Sequence, residues 1–319
     1  MLVSGEKLLK IKFVALASIF AATAVCASTT ESMTEAQAAS DKIALSSLNG
    51  FESLPPGSAC EDPARGVKAY RFTLEDGTKV ALLRVETGAR QLIPGFGPRT
   101  APTSVTLAQK AGIAGVNGGY FNLSDGESAS YLVSGGKVEM DPTKNKALTG
   151  NKRLQPFLPQ IFDRSELRFY KGARGAARYA IAKHSQPVPA GEKLVWSLQG
   201  GPRLLPELTA EAEAFLRKEA DGKLVDSIGV NRTAARTAVG IGSLGELLVV
   251  SVCGKGQDEF SSGLTLADLA QLLTRLGASE ALNFDGGTST TMVVKKGAGK
   301  EMLIGRSPET LVRSILYLK

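Results

Sequence analysis

The run Asn283-Phe284-Asp285-Gly286-Gly287-Thr288-Ser289-Thr290-Thr291-Met292 concentrates more polar chemistry than any other stretch of this chain. A carboxylate directly follows the short, mostly apolar segment 281–284. Two glycines and four consecutive hydroxyl residues come next, and Met292 opens a second apolar run. A turn so crowded with small polar groups adds little to a core. It brings a carboxylate, hydroxyls and backbone N–H groups within reach of something polar, as a ligand site does.

Two further clusters compete for the same role. In Asn117-Gly118-Gly119-Tyr120-Phe121-Asn122 the paired glycines let backbone pass close to a ligand, and Asn offers donors and an acceptor to sugar hydroxyls or amides. In Arg236-Thr237-Ala238-Val239-Gly240 an arginine at the start of a strand can hold phosphate or carboxylate bidentately. Each cluster alone has a plainer reading: a tight turn, a surface ion pair, a satisfied hairpin tip. The three together are more specific than any one.

Other chemistries find little support. His184 is the single histidine and reads as a surface residue, which disfavours a Ser-His-Asp triad and excludes a multi-histidine zinc site. There is no Cys-x-x-Cys pair, no Walker-type loop and no G-x-G-x-x-G, so neither a metal nor a cofactor is expected. The formal charge of +7 is spread without a run of five like charges, and aromatic content is 6%, so no nucleic-acid platform is expected.

These clusters need elements to position them. Strands are expected at 67–73, 79–87, 113–116, 131–133, 137–140, 194–198, 237–241, 247–252, 281–284 and 311–318, and within 161–170. Residues 94–102 read as a loop. Helices are expected from Thr103 or Ser104 to about Lys110, over 210–220 behind Thr209, and after Thr265, where Asp268 completes a capping box. Leu266, Leu269, Ala270, Leu272, Leu273 and Leu276 line one face of that last helix, and Gly277 stops it. The fold class is therefore mixed α/β (α+β): a single domain with a mixed, strand-rich sheet, few helices and glycine-rich site loops. Helix, Gly112, strand, Asn117-Gly118-Gly119 echoes helix, Gly277, strand, Asn283 to Gly287, which would set both glycine turns at one end of one sheet.

The N-terminus reads as an export signal over residues 1–27. Lys7, Lys10 and Lys12 precede a largely apolar stretch of 14 residues, 13–26, short for a membrane span of roughly 20. Small residues place cleavage after Ala27, and a lipoprotein anchored at Cys26 is the alternative. Cleavage removes three lysines and Glu6, leaving +5. Residues 28–44 read as a flexible linker, and 45–319 as the domain. The location implied is periplasmic or secreted, with no stable membrane span after signal removal. Cys60 and Cys253 would remain, either as a disulfide or as two buried thiols.

The clusters and their order resemble the phosphodiester glycosidase family, from about Val67 to Lys319. Ala114 to Phe121 is similar to its N-G-G-[FY]-F element, Gly200-Gly201-Pro202 to its glycine-proline turn, Arg236 to Gly240 to its R-T-A-x-G strand, and Leu282 to Thr290 to its L-N-x-D-G-G-x-S-[ST] turn. The chain departs from the family at Ser128 to Ser130, where glycine is frequent, and at Thr288, where a third glycine is frequent. The resemblance implies hydrolysis of a sugar-1-phosphodiester at the anomeric carbon–oxygen bond. Asp285 would be the acid residue, Arg236 the phosphate holder, and Asn117 with Asn283 the sugar orienters. Gly118, Gly119, Tyr120, Gly286, Gly287, Thr288 and Ser289 would line the substrate, with backbone N–H groups of Gly286 and Gly287 steadying the departing charge. Glu127 and Asp125 are candidates for a second carboxylate. An envelope-glycan or exopolysaccharide-binding protein, and a phosphodiesterase cutting the phosphorus–oxygen bond, are the rival classes.

Overall fold

The computed structural model describes residues 42–60, 62–254 and 263–319. The export signal therefore lies outside the described residues, as does most of the 28–44 linker. Lys42 and Ile43, at the end of that linker, instead form β1 (Lys42–Ile43) and pair with β2 (Val67–Leu74). The pairing holds because the Ile43 carbonyl accepts from Glu75 N–H at 3.1 Å and Ile43 packs on the core. No helix among the described residues is long and apolar enough to cross a membrane.

The strand-rich α+β architecture with few helices is as expected, but the strands divide among three main sheets. The first has the order β1-β2-β3-β15-β14-β16-β11, with β3 at Lys79–Val85, β11 at Arg203–Leu205, β14 at Arg236–Gly242, β15 at Leu247–Cys253 and β16 at Ala278–Asn283. The second runs β18-β17-β5-β19-β4, with β4 at Leu92–Pro102, β5 at Ala114–Asn117, β17 at Met292–Lys296, β18 at Gly299–Ile304 and β19 at Leu311–Leu318. The third runs β7-β6-β10-β8-β9, with β6 at Leu132–Ser134, β7 at Lys137–Met140, β8 at Ser165–Gly172, β9 at Ala177–Lys183 and β10 at Glu192–Gln199. A separate hairpin joins β12 (Leu216–Lys218) to β13 (Leu224–Asp226).

Alternation explains the layering. Along β15, Leu247, Val249 and Cys253 enter a core shared by all three sheets, while Leu248, Val250 and Val252 enter a second core on the opposite face. A strand covered on both faces reads as an unbroken apolar run, as Leu247 to Cys253 does. The helix Leu266–Arg275 seals the second core with Leu266, Leu269, Leu272 and Leu273. Its start is fixed by the N-cap half of the expected capping box: Asp268 N–H donates to Thr265 Oγ1 at 3.1 Å, while the Asp268 carboxylate accepts from the Thr265 hydroxyl, at 2.7 Å, where a full box would have it accept from the Thr265 N–H. The helix Thr103–Gln109 covers the outer face of the second sheet through Leu107, against Val293, Ile315 and Tyr317.

Three local expectations are corrected. Residues 94–102 are part of edge strand β4, paired antiparallel with β19, and an edge tolerates Pro94 and Pro102 because it leaves N–H positions unpaired. Residues 210–220 are not a helix: Ala214 sits at φ +55, which breaks the helical path, and the chain passes into β12. The two glycine turns of the internal echo lie in different sheets, since β5 belongs to the second and β16 to the first. The turns nevertheless meet, because Asp285 N–H donates to the Gly118 carbonyl at 3.1 Å.

Candidate active site

Strand ends build the site. β14 and β16 are antiparallel, with Ala238 opposite Asn283. Beyond that pair the ladder continues through Phe284 N–H to the Thr237 carbonyl at 2.8 Å and Gly287 N–H to the Ala235 carbonyl at 2.8 Å. Arg236 and Asp285 therefore emerge at the same end of one ribbon. Both line a pocket of about 160 Å³ together with Tyr120, Ser227, Ile228, Ala234, Asn283, Phe284, Gly286 and Gly287.

Arg236 is 3% exposed. Its guanidinium donates to the backbone carbonyls of Leu264 (3.1 Å), Ile228 (2.8 Å), Arg232 (2.9 Å) and Gly229. The loop that offers two of these carbonyls is itself pinned, because Asp226 Oδ1 accepts from Ile228 and Val230 N–H at 3.3 and 2.9 Å. Burial lowers the guanidinium to about 10, so it stays charged at neutral pH. Asp285 is half-buried, and its Oδ1 accepts from Gly286 N–H at 3.0 Å.

Tyr120 spans the pocket wall. Its hydroxyl donates to the Gly201 carbonyl at 2.8 Å and accepts from Asn283 Nδ2 at 2.8 Å. Burial, then the nearby Asp285 charge, raises the phenol far above its ordinary value and keeps it protonated. Asn283 is buried. Its Nδ2 also donates to the Gly201 carbonyl, and its Oδ1 has no hydrogen-bond partner among the described residues.

Several expected site residues stand elsewhere. Asn117 is fully buried and its amide is taken by the protein: Oδ1 accepts from Thr237 Oγ1 (2.6 Å) and Thr291 N–H (3.1 Å), while Nδ2 donates to the Asp285 carbonyl at 2.5 Å. Gly118 and Gly119 face packed protein. A Cβ on Gly118 would lie 2.7 Å from Ser314 Oγ, and one on Gly119 would lie 2.8 Å from Ser130. The N–H groups of Gly286 and Gly287 are already bonded, to Asp285 Oδ1 and the Ala235 carbonyl, because this turn lies directly over the start of β14. Ser289 is buried, and neither it nor the half-exposed Thr288 lines the pocket. Asp125 and Glu127 are exposed on the 122–127 turn, where Asp125 Oδ1 accepts from Glu127 N–H at 2.8 Å; neither lines the pocket.

The two cysteines among the described residues, Cys60 and Cys253, are free thiols. Cys253 pairs with Lys79 on β3, whereas the Cys60 N–H donates to Ala69 on the far side of β2. Two strands intervene, a separation of roughly 14 Å at the usual strand spacing, too far for a disulfide. His184 is not a bare surface group either. Its Nδ1 lies 3.0 Å from Glu166 Oε2, and its ring stacks on Tyr131 at 3.8 Å.

A second hollow of about 220 Å³ adjoins the first through Tyr120, Ser227 and Ile228, and adds Leu148, Leu154, Ile161, Arg164, Phe215 and Arg217. The sequence carried no signal for it. Its residues come from irregular segments far apart in the chain, and Phe215 sits in the stretch misread as a helix.

A phosphodiester glycosidase profile matches residues 110–318, and the chain belongs to the phosphodiester glycosidase family. It is 26% identical over 195 residues to cattle N-acetylglucosamine-1-phosphodiester alpha-N-acetylglucosaminidase, a match covering 60% of this chain and 32% of that protein. The chain thus spans about a third of the length of that relative. The zebrafish N-acetylglucosamine-1-phosphodiester alpha-N-acetylglucosaminidase catalytic domain, auto-inhibited by its pro-peptide, superposes with a TM-score of 0.53 at 18% identity, over 79% of this chain and 81% of that one. A hypothetical protein from Synechocystis superposes with a TM-score of 0.52 at 15% identity, over 80% of this chain and 62% of that one. These two superpositions speak to the fold alone.

Proposed function

We propose that the chain hydrolyses a sugar-1-phosphodiester at the anomeric carbon–oxygen bond, consuming one water and releasing free sugar and a phosphomonoester. The observation that carries this reading is the common pocket of Arg236 and Asp285. A phosphate leaving group is a weak base and needs charge stabilisation more than protonation. Four of the five Arg236 N–H groups are spent on backbone carbonyls, so it does not hold phosphate bidentately as the sequence suggested; it acts through its fixed charge and the one remaining Nη1–H, with little reorganisation. The oxocarbenium-like sugar needs a carboxylate close to its anomeric carbon, which is the role of Asp285. With the Gly286 and Gly287 N–H groups engaged, Arg236 carries the departing charge without them. Asn283 Oδ1 is left as an acceptor for a sugar hydroxyl or amide, and Asn117 acts by holding the Asp285 backbone.

The 1–27 export reading places this reaction on envelope or extracellular glycoconjugates. The test is turnover on a panel of sugar-1-phosphodiesters including N-acetylglucosamine-1-phosphodiesters. Hydrolysis lost in Asp285→Asn supports the reading. Sugar binding with zero turnover on every member favours the glycan-binding class instead.

A further inference from the structure

The second hollow contains an arginine whose charge the fold does not use up. Arg164 is 8% exposed, and its guanidinium lies over the Phe215 ring at 3.6 Å. Among the described residues it makes a single hydrogen bond, from Nε to the Glu213 carbonyl at 3.0 Å, and no carboxylate stands within ion-pair distance. The terminal nitrogens, which form the fork suited to a phosphate or carboxylate, carry none of the bonds described. The nearest acid, Glu213, is committed to the hydroxyls of Ser165 and Thr209 and to the N–H groups of Ser165 and Arg203. Arg217 lines the same hollow and repels the buried charge, while the Glu213 carboxylate attracts it more strongly. Burial brings the Arg164 guanidinium down to about 10, so the hollow holds a fixed positive charge at neutral pH. The Glu213 charge steadies the guanidinium from one side without bonding its terminal nitrogens, which leaves those nitrogens open to a second anion.

We propose that the Arg164 hollow is an aglycone subsite that binds a second anionic group of the substrate, a phosphate or carboxylate a few carbons beyond the scissile phosphodiester. Leu148, Leu154 and Ile161 form an apolar wall suited to the short carbon linker, and Phe215 fixes the guanidinium plane. Tyr120, Ser227 and Ile228 line both hollows, which therefore adjoin, and the proposal has one ligand extend past them from Arg236 to Arg164. Together the two spaces exceed the ~300 Å³ at which small-molecule sites begin. The preferred substrates then have chains that repeat an anionic group, such as polyol-phosphate oligomers capped by a sugar, rather than diesters with a neutral alkyl aglycone. The subsite deepens the proposed reaction and rests on it for the identity of the first phosphate.

Calorimetric titration of the full chain with 1,3-propanediol bisphosphate and with propyl phosphate tests this, since the probes differ by one phosphate and neither is hydrolysed. The bisphosphate is expected to bind at least about tenfold tighter than propyl phosphate, and Arg164→Gln is expected to bring that ratio close to one. A ratio near one in the unaltered protein, or an undiminished ratio in the variant, overturns the proposal. Should the variant fail to fold, a crystal structure of the unaltered protein with the bisphosphate decides: one phosphate at the Arg164 terminal nitrogens upholds it, and both phosphates elsewhere overturn it. The binding ratio does not depend on turnover. A protein that shows the ratio but cleaves no sugar phosphodiester keeps the subsite and loses the reaction, and the reverse pattern loses only the subsite.

Discussion

Arg236 and Asp285 leave the two strands of the β14–β16 ladder just past the Ala238–Asn283 pair and line one pocket, where the register slips by one residue and Gly287 N–H, in place of Gly286 N–H, donates to the Ala235 carbonyl. Main-chain pairing thus carries both residues to one pocket, without any ion pair between them being needed.

Asp285→Asn separates the charge from the structure. The Asn side chain still offers an oxygen to Gly286 N–H, so the turn keeps its bond. Turnover is expected to fall about 10²–10⁴-fold, with a thermal midpoint close to that of the unaltered protein. Steady-state kinetics and a melting curve check both.

Arg236→Lys keeps the charge and loses the geometry. Lysine cannot reach four carbonyls at once, and the carbonyls of Leu264, Ile228, Gly229 and Arg232 lose donors. Stability is expected to drop by about 2–4 kcal/mol, and turnover about 10²–10³-fold. Chemical denaturation read beside kinetics distinguishes this from a purely electrostatic role, which would leave stability unchanged.

Asn117→Ala tests positioning. It leaves Thr237 Oγ1, Thr291 N–H and the Asp285 carbonyl without their partner in a dry site. A stability loss on the order of 3 kcal/mol is expected. The accompanying fall should be in kcat rather than in KM, because the amide holds the acid and does not touch the sugar.

Gly286→Ala puts a Cβ 2.7 Å from the Ala235 carbonyl oxygen, a backbone atom with little room to yield. The Asp285 turn must shift, and turnover is expected to fall at least tenfold. By contrast, Gly135→Ala meets nothing within 4 Å, although its φ of +59 costs stability, and should leave kinetics unaltered.

Both thiols should be alkylated without reductant once the chain is unfolded. In the folded protein half-buried Cys60 reacts before buried Cys253. Burial raises both thiols above 9.0, so the Cys60 alkylation rate should still be climbing past pH 9. Intact mass with and without reductant reads the outcome, and a two-hydrogen deficit would reveal a disulfide.

Much of this was legible from residue types. The Thr265–Asp268 cap, the leucine face behind it, and the apolar runs of β14 and β15 follow from local rules and appear as read. That Asp285 and Arg236 share one pocket was legible in part, because Arg236 opens one apolar strand and Asp285 directly follows another. What a sequence does not display is which polar groups the protein keeps for itself. Asn117, Gly118 and the Gly286 and Gly287 N–H groups look like ligand contacts, yet three sheet ends meeting at one point consume them as internal bonds. Arg164 was invisible for the complementary reason. Its position opposite Tyr120 depends on the packing of residues 145–162 and on Phe215, where Ala214 at positive φ ended a helix that propensity favoured.

The most direct measurement is hydrolysis of an N-acetylglucosamine-1-phosphodiester in water enriched in oxygen-18, with both products analysed by mass spectrometry. Attack at the anomeric carbon beside Asp285 places the heavy oxygen in the released sugar and leaves the phosphomonoester unlabelled. Label in the phosphate instead would mean that the phosphorus–oxygen bond is cut, and would contradict the assignment of Asp285 and Arg236 to glycosidic cleavage.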